Sequence, residues 1–286
     1  MIKLGLGLGL GIVPGQPRKP ERKMTKYLFV DGGFVESMAP KAERFFGISL
    51  TNYEVDYRRV AGGFARTFYY DALPTLKIDE DPLVYAAKLR AKEQLFARVN
   101  RTPFMHTREG ITRNRSSRRV LQQKGVDILL AIDVFKHASV RNMDEAHIMT
   151  CDLDFFPLFE ALRDTPVSVH LHCYTEETSL ELMALADVVL PVNPFTVLQW
   201  MHHPSRDQLV EWNVSENDLG PHDLIKEGTY EGLPFHVFRT NIPGDRPFFG
   251  RAMAHNPGNF MRSSRWEFVV ADFESRVSKR VYFEDD

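Results

Sequence analysis

The chain has 286 residues, of which 43% are hydrophobic and 26% are charged, a balance typical of a globular protein with a sizeable core. The formal net charge of −2 argues against a protein that coats nucleic acid through bulk charge, although it allows a local basic groove. No apolar run approaches the roughly 20 residues that a membrane-spanning helix requires, so we expect no membrane association. The two cysteines, Cys151 and Cys173, lie in apolar strand-like segments, which argues against a disulfide framework and favours a reducing cytoplasm.

The first 23 residues differ in composition from the rest of the chain. Residues 1–23 combine a Gly-Leu alternation with a basic, Pro-rich stretch. The glycines superficially resemble a dinucleotide-binding loop, but Pro14 and Pro17 would break the helix that such a loop requires. Met24 directly precedes the first convincing strand. We therefore predict a flexible N-terminal extension over residues 1–23.

From Met24 onward, strand-like runs alternate with helical runs. Hydrophobic periodicity predicts strands at Lys26–Val30, Arg66–Leu73, His147–Cys151, Val167–Cys173 and Val188–Val192. It predicts helices at Glu54–Gly62, Pro82–Val99, Val126–Ala138, Phe155–Arg163 and Leu180–Ala186. The clearest of these helices would bury a face made of Leu83, Ala86, Leu89 and Leu95. This alternation predicts an α/β fold with a mostly parallel sheet covered on both faces, in which ligands bind beyond the carboxyl ends of the strands.

The character of the chain changes after about Pro204. Residues 205–286 are richer in Gly, Pro, Phe and Arg, with strand-like runs at Pro234–Arg239, Trp266–Ala271 and Arg280–Phe283. We predict a first domain over residues 24–204 and a smaller, β-rich C-terminal module over residues 205–286.

Aspartates stand where predicted strands stop. Asp31 follows the first strand, and Asp152 and Asp154 follow a later one, while Asp127 and Asp133 lie on one predicted helix. Carboxylates that converge beyond strand ends repel one another unless a cation neutralises them. Hard oxygen ligands suit Mg²⁺ or Mn²⁺, so this pattern predicts a divalent-metal site.

Each of these aspartates also has a purely structural interpretation. Asp154 fits the N-cap of the helix that follows it, Asp127 fits the positive end of its helix dipole, and Asp31 fits a turn before Gly32-Gly33. Six residues place Asp133 about 240° around the helix from Asp127, which is compatible with a solvent-facing side chain. The prediction of a site therefore rests on the positions taken together.

Three separated segments share the order and spacing of the signature blocks of a known family. They read YLFVDGGFVE, KGVDILLAIDVFKHA and HIMTCDLDFFPLFEAL, and LADVVLPV closes the series. Together they resemble the NYN domain, in its LabA-like branch of the PIN-like superfamily, over roughly residues 24–192. The resemblance implies a PIN-like three-layer sandwich and a divalent-metal-dependent nuclease that acts on RNA in most members.

The resemblance also assigns roles by position. It implies that the catalytic and metal-binding residues are Asp31, Asp127, Asp152 and Asp154. Asp133 matches a recurrent family aspartate whose role is less defined. Thr150-Cys151 stands where the family often has Ser-Gly, so Thr150 keeps a hydroxyl beside the site. Phe34 stands where the family often has Asn, a change that affects substrate positioning and not metal binding.

The connection over residues 101–124 is basic, with Glu109 as its only acid. We predict that the phosphates of a nucleic acid are contacted by Arg113, Arg115, Arg118, Arg119 and Lys124. A solvated loop is the alternative, because charge runs usually lie on the surface. Tyr69 and Tyr70 could stack on bases, but aromatic side chains on a strand more often belong to the core.

The histidines do not predict a zinc site. His170 and His172 alternate along one strand and therefore share a face. No carboxylate or cysteine stands at a spacing diagnostic of a zinc site.

The sequence thus predicts a Mg²⁺- or Mn²⁺-dependent endoribonuclease, a cytoplasmic hydrolase of phosphodiester bonds with DNA as the less favoured substrate. By resemblance, its products carry 5′-phosphate and 3′-hydroxyl ends. A non-catalytic RNA- or protein-binding module with the same fold is the alternative. A phosphatase is a third and less favoured hypothesis, since the Asp152–Asp154 pair weakly resembles that of aspartate-nucleophile phosphatases. In those enzymes, however, the pair follows the first strand, where this chain has Asp31-Gly32-Gly33. An aromatic-rich appendage is also compatible with a homodimer.

Overall fold

A computed structural model describes the greater part of the chain. The described residues are 24–51, 53–77, 79–110, 112–113, 122–123, 125–201, 203–252, 259–277 and 279–283. The predicted flexible extension over residues 1–23 lies outside them.

A six-stranded parallel sheet forms the centre of the N-terminal part. The first eight strands are β1 (Lys26–Asp31), β2 (Arg66–Asp71), β3 (Met105–Glu109), β4 (Thr112–Arg113), β5 (Gln122–Gln123), β6 (Glu145–Met149), β7 (Ser168–Cys173) and β8 (Val188–Pro191). Six of them pair in the order β3-β2-β1-β6-β7-β8, all parallel, while β4 and β5 form a separate antiparallel ribbon. The predicted parallel sheet is confirmed.

Helices cover both faces of this sheet. They are α1 (Gly32–Phe46), α2 (Tyr57–Val60), α3 (Pro82–Arg101), α4 (Val126–Ser139), α5 (Phe156–Leu162), α6 (Leu180–Met183) and α7 (Pro194–Met201). Leu28 and Val30 of β1 pack with α1, α3 and α7, whereas Phe29 points to the other face and packs with α4, α5 and α6. All three residues are fully buried, because a strand with helices on both sides has no solvent face. This is the three-layer α/β sandwich that the sequence predicts.

The first connection differs from its prediction. The sequence predicts a turn at Asp31-Gly32-Gly33, but a 15-residue helix, α1, begins there. The Asp31 side chain accepts a hydrogen bond from the Gly33 N–H and so caps the helix directly at the strand end. The helix contains Pro40 and ends at Gly47, whose φ of 67° is accessible to glycine at little cost.

Helix α3 is present, but the predicted apolar face is wrong in its first half; Leu89 and Leu95 are partly buried, and Leu95 packs against the core. Leu83 is 79% exposed and Ala86 is also exposed, while the buried positions are Phe96 and Val99. Only the last turns of α3 pack, because the chain continues from there into β3 at the sheet edge.

The C-terminal part forms a second sheet, which is antiparallel. Its elements are α8 (Ser205–Leu209), β9 (Val210–Ser215), β10 (His222–Tyr230), β11 (Leu233–Thr240), β12 (Phe248–Ala252), β13 (Asn259–Ser263), α9 (Trp266–Val277) and β14 (Tyr282–Phe283). The strand order is β14-β10-β11-β12-β13-β9. A β-rich C-terminal module is therefore present. The strand predicted at Trp266–Ala271 is wrong, because this segment begins α9, and a continuous run of buried residues conceals the helical period.

One hydrophobic cluster joins the two sheets. Phe268 of α9 lies 5.1 Å from Phe45 and 5.2 Å from Phe46 between ring centroids, and Phe46 in turn lies 4.7 Å from Phe195. The same cluster includes Leu28 of the parallel sheet. Helix α9, which also contacts β12 and β13 of the C-terminal sheet, therefore packs on the helical layer formed by α1 and α7. In the part of the chain that the structure covers, no helix has both the length and the apolar character that crossing a bilayer demands.

Candidate active site

Two adjacent strands bring predicted site residues to the same edge of the sheet. β1 ends at Asp31, and its parallel neighbour β6 ends at Met149 and is followed by Thr150. Parallel strands direct their carboxyl ends to one edge, so Asp31 and the segment from Thr150 to Asp154 meet there.

Thr150 connects the two strand ends through its hydroxyl group. It donates a hydrogen bond of 3.0 Å to Asp31 Oδ2 and accepts one of 3.1 Å from the Asp152 N–H. The Thr150 side chain is fully buried, and its backbone N–H donates to the carbonyl oxygen of His172 on β7. Asp31 is thus fixed by two hydrogen bonds, one to each carboxylate oxygen, from Gly33 and Thr150.

The two aspartates that follow β6, Asp152 and Asp154, have different structural roles. Asp152 caps the short 3-10 turn over residues 153–155, because its Oδ1 accepts a hydrogen bond of 2.9 Å from the Asp154 N–H. Asp154 lies inside that turn and is exposed. The N-cap residue is therefore Asp152, and not Asp154 as the structural interpretation of the sequence predicts. Asp152 uses only Oδ1 as the cap, so its Oδ2 stays available to bind a cation.

Asp127 reaches the same group from α4. It lies in the first turn of that helix, where the dipole favours a negative charge, and its side chain is exposed. The helix begins after Gly125, whose φ of 99° is one that glycine adopts readily.

The four carboxylates influence one another electrostatically. Burial raises the pKa of Asp31, and the charge of Asp127 raises it further, against hydrogen bonds from Thr150 and the backbone that lower it. Burial also raises the pKa of Asp127, and the charges of Asp152 and Asp154 add to that effect. These effects place Asp31, Asp127, Asp152 and Asp154 in one acidic group, which we call the aspartate site.

The donor set of the aspartate site fits a hard divalent cation. Within the described ranges, none of the four carboxylates forms an ion pair with a lysine, arginine or histidine. Among the described residues their mutual repulsion is uncompensated, and carboxylate oxygens are ligands that Mg²⁺ and Mn²⁺ prefer. No three of them bring oxygens within 4.8 Å of one another, so in this arrangement one ion would be held directly by at most two of the carboxylates and otherwise through water, as Mg²⁺ commonly is.

The side chains of Asp133 and Phe34 have their partners outside the aspartate site, although the Phe34 backbone N–H donates a hydrogen bond to Asp31. Asp133 is 8% exposed and not solvent-facing, and its Oδ2 accepts a hydrogen bond of 3.0 Å from the Tyr70 hydroxyl. The Arg108 Nε atom lies 3.0 Å from the same oxygen, so Asp133 joins α4 to β2 and β3. Phe34 is buried in the core with α1, so the position where the family often has Asn here packs inward. Tyr69 and Tyr70 are fully buried, as the core interpretation predicts.

The sequence analysis does not predict a second group of charged residues at this edge of the sheet, formed by Asp71, Lys92 and Glu36. Asp71 ends β2, the other neighbour of β1, and is 6% exposed. Lys92 of α3 forms ion pairs with Asp71 at 2.7 Å and with Glu36 of α1 at 2.5 Å. A Cβ atom on Gly32 would lie 2.7 Å from Asp71 Oδ2, so only glycine lets α1 start this close to β2. An acidic residue at the end of a strand could have indicated this group. The predicted strand runs from Arg66 to Leu73, however, so Asp71 falls inside it and not at its end.

Two short strands of the basic connection precede α4. β4 and β5 pair antiparallel, with Thr112 opposite Gln123 and Arg113 opposite Gln122, and α4 begins at Val126. The side chain of Arg113 lies outside the described part of the chain, as do Arg115, Arg118, Arg119 and Lys124.

A different set of metal-binding side chains lies on the sheet itself. Ligand atoms of Glu145, His147 and His170 all lie within 4.8 Å of one another. No carboxylate stands at a diagnostic sequence spacing from His170, but the structure brings Glu145 close to it from the adjacent strand β6.

Comparisons with known proteins give a family match and similar solved structures. The profile of the NYN domain matches residues 39–193, more than half of the chain, and includes Asp127, Asp152 and Asp154, while Asp31 precedes the matched range. A crystal structure of a protein of unknown function from Vibrio parahaemolyticus is similar to 59% of this chain and 94% of its own, with 16% sequence identity and a TM-score of 0.38. A search of curated proteins finds no match.

Proposed function

Because the chain belongs to the NYN domain family, within the PIN-like nuclease superfamily, we propose that it is a metal-dependent endonuclease that hydrolyses phosphodiester bonds, with RNA as its preferred substrate. The observation that carries this proposal is the aspartate site, in which four carboxylates without a cationic partner among the described residues meet beyond the strand ends. The LabA-like branch stays a prediction from the sequence blocks.

The aspartate site contains one carboxylate that is fixed by hydrogen bonds at both oxygens and three carboxylates that are exposed. Bound Mg²⁺ or Mn²⁺ would supply Lewis acidity and lower the pKa of a water molecule. Asp31 is held at both oxygens by Gly33 and Thr150, so it provides a rigid anchor on the core side. Asp127, Asp152 and Asp154 are exposed and face solvent, where a substrate phosphate can approach.

The substrate would approach along the basic connection. This connection directly precedes α4 and Asp127 in the sequence, and its cationic residues include Arg113, Arg115, Arg118, Arg119 and Lys124. Contacts of this kind to several phosphates make binding fall steeply with salt concentration. A chain with a formal net charge of −2 needs such a local cluster to hold a polyanion.

Cleavage assays on defined polymers test the proposal. Labelled single-stranded RNA and DNA of the same sequence would be incubated with the full chain in Mg²⁺, in Mn²⁺ and in EDTA. We expect cleavage that requires metal, is faster on RNA and leaves 5′-phosphate ends. Faster cleavage of DNA would reassign the substrate. Absence of metal-dependent cleavage of either polymer, by protein that still binds RNA, would favour the non-catalytic module.

A further inference from the structure

Glu145, His147 and His170 form a compact group on the face of the parallel sheet that carries Leu28 and Val30. Glu145 and His147 are two residues apart on β6, so both side chains lie on the same face of the strand. His170 stands opposite His147 in the β6–β7 register. His147 lies three residues before Thr150, about 10 Å along the strand, so this group is distinct from the aspartate site.

The distances within the group match the edges of a tetrahedral site. Glu145 Oε2 lies 2.9 Å from His147 Nε2 and 3.8 Å from His170 Nε2. Zinc–nitrogen and zinc–oxygen bonds of 2.0–2.2 Å in a tetrahedron place two ligand atoms about 3.3 Å apart. The two observed separations lie on either side of that value, so small side-chain rotations are enough for all three atoms to reach one ion.

The second nitrogen of His147 is already oriented for this role. His147 Nδ1 lies 2.8 Å from Nε2 of His172, which neighbours it on β7. When the Nε2 lone pair of His147 points to a metal, Nδ1 carries the proton and donates it to His172. Metal-binding histidines are held by an outer partner in this way, which fixes the ring and its tautomer.

The group is largely enclosed by the protein. His147 is 5% exposed. The side chains of Glu145 and His170 are 11% and 15% exposed, so the group has a narrow opening to solvent.

One cation already occupies the carboxylate side of the group. Lys26 Nζ lies 2.8 Å from Glu145 Oε2, and its side chain is 42% exposed. A half-exposed lysine can move its ammonium group into water at small cost, so it competes with a metal ion without blocking it.

We propose that Glu145, His147 and His170 bind a zinc ion at a site separate from the aspartate site, with water at the fourth position. Two imidazoles and one carboxylate select Zn²⁺ over Mg²⁺ or Mn²⁺, because imidazole nitrogen is a softer ligand than carboxylate oxygen. The ion links β6 to β7 on the sheet face. The site is independent of the proposed nuclease activity.

Titration calorimetry of the full chain, stripped with a chelator, tests this site. We expect one Zn²⁺ per chain, with affinity reduced about 100-fold or more in Glu145→Gln and in His170→Ala. Asp31→Asn is the matched control at the other site and should leave this affinity unchanged. Co²⁺ in the same protein should give the intense absorption bands of tetrahedral coordination.

Lys26→Met separates metal binding from folding, because it keeps all three ligands and removes the competing cation. We expect Zn²⁺ affinity to rise by about 10-fold in this variant. Wild-type protein that binds no Zn²⁺, or binding that is unchanged in both Lys26→Met and His170→Ala, would overturn the proposal. Loss of binding in Asp31→Asn would assign the ion to the aspartate site instead. None of these readouts depends on whether the protein cleaves RNA.

Discussion

At the residue scale, the position of Asp31 depends on a buried hydroxyl group. Thr150 Oγ1 donates to Asp31 Oδ2 and accepts from the Asp152 N–H, so one side chain sets the spacing between two strand ends. Thr150 is fully buried, so water cannot replace it when it is removed.

Thr150→Val tests this coupling, because valine keeps the shape of threonine and lacks the hydroxyl. We expect the free energy of unfolding to fall by about 1–3 kcal/mol, since Asp31 and the Asp152 N–H lose a buried partner. The cleavage rate should fall about 10-fold or more, because Asp31 is no longer held in place. Thr150→Ser keeps a hydroxyl and should therefore retain most of the free energy of unfolding and most of the cleavage rate. Equal losses in Thr150→Ser and Thr150→Val would refute the role given to the hydroxyl.

The sequence predicts individual site residues only where strand ends can be located. Asp31 and Asp152 are predictable because each directly follows an apolar run. Asp71 is not, because the aromatic run continues past it to Leu73 and hides the strand end. The group of Glu145 and His170 depends on the β6–β7 register, which no local pattern specifies.

At the element scale, α9 presents a partly buried acid, Glu274, to the N-terminal part. Glu274 accepts a hydrogen bond of 2.7 Å from the Val281 N–H and one of 3.4 Å from Asn193 Nδ2. Burial raises the pKa of Glu274 from 4.5 to about 7, although these hydrogen bonds lower it. The folded state therefore holds a proton between about pH 4.5 and 7 that the unfolded state has released.

Glu274→Gln should change how stability depends on pH. A raised folded-state pKa contributes stability below pH 4.5 and loses it as the pH rises through about 7. The neutral variant should therefore exceed the wild type at pH 8, by about 3 kcal/mol at most, and show little advantage near pH 5. Urea denaturation at both pH values measures this. Glu267→Gln, on the same helix, is the control, and an advantage of Glu274→Gln that does not vary with pH would contradict the account.

Element types are predictable where the apolar period is unambiguous. The strands β1, β2, β7 and β8 lie close to their predicted bounds because each is a short run rich in β-branched and aromatic residues, separated from the next by a helical segment. Helix α9 is not predictable, because Phe268 to Phe273 are all buried and the run carries no 3.6-residue period. The strand β3 lies at a sheet edge, where half-exposed polar residues replace the apolar signal.

At the scale of the whole molecule, the boundary predicted near residue 204 crosses a common core. Phe268 of the C-terminal part is 3% exposed and packs on Phe45, Phe46 and Phe195 of the N-terminal part. Division of the chain into residues 24–204 and 205–286 stays a prediction, and the packing indicates that the two parts stabilise each other.

Phe268→Ala tests whether the two parts unfold together. We expect a single calorimetric transition for the wild type, and a free energy of unfolding lower by about 3–5 kcal/mol in the variant, still in one transition. Phe104→Ala, which removes an aromatic side chain that is 66% exposed, is the matched control. Two separate transitions, of which Phe268→Ala lowers only one, would mean that the sheets fold as independent units.

If the aspartate site performs metal-dependent cleavage, removal of the Asp31 charge must slow the reaction. The measurement that decides this is the rate of RNA cleavage by Asp31→Asn. Asparagine keeps the shape of the side chain and removes the charge; its amide oxygen can still accept from the Gly33 N–H, while its amide nitrogen can only donate to the Thr150 hydroxyl oxygen. Asp164→Asn, an exposed aspartate of the same domain, serves as the control. We expect Asp31→Asn to lose at least about 1,000-fold in rate with an unchanged fold, while Asp164→Asn cleaves like the wild type. Cleavage by Asp31→Asn at the wild-type rate would contradict the account.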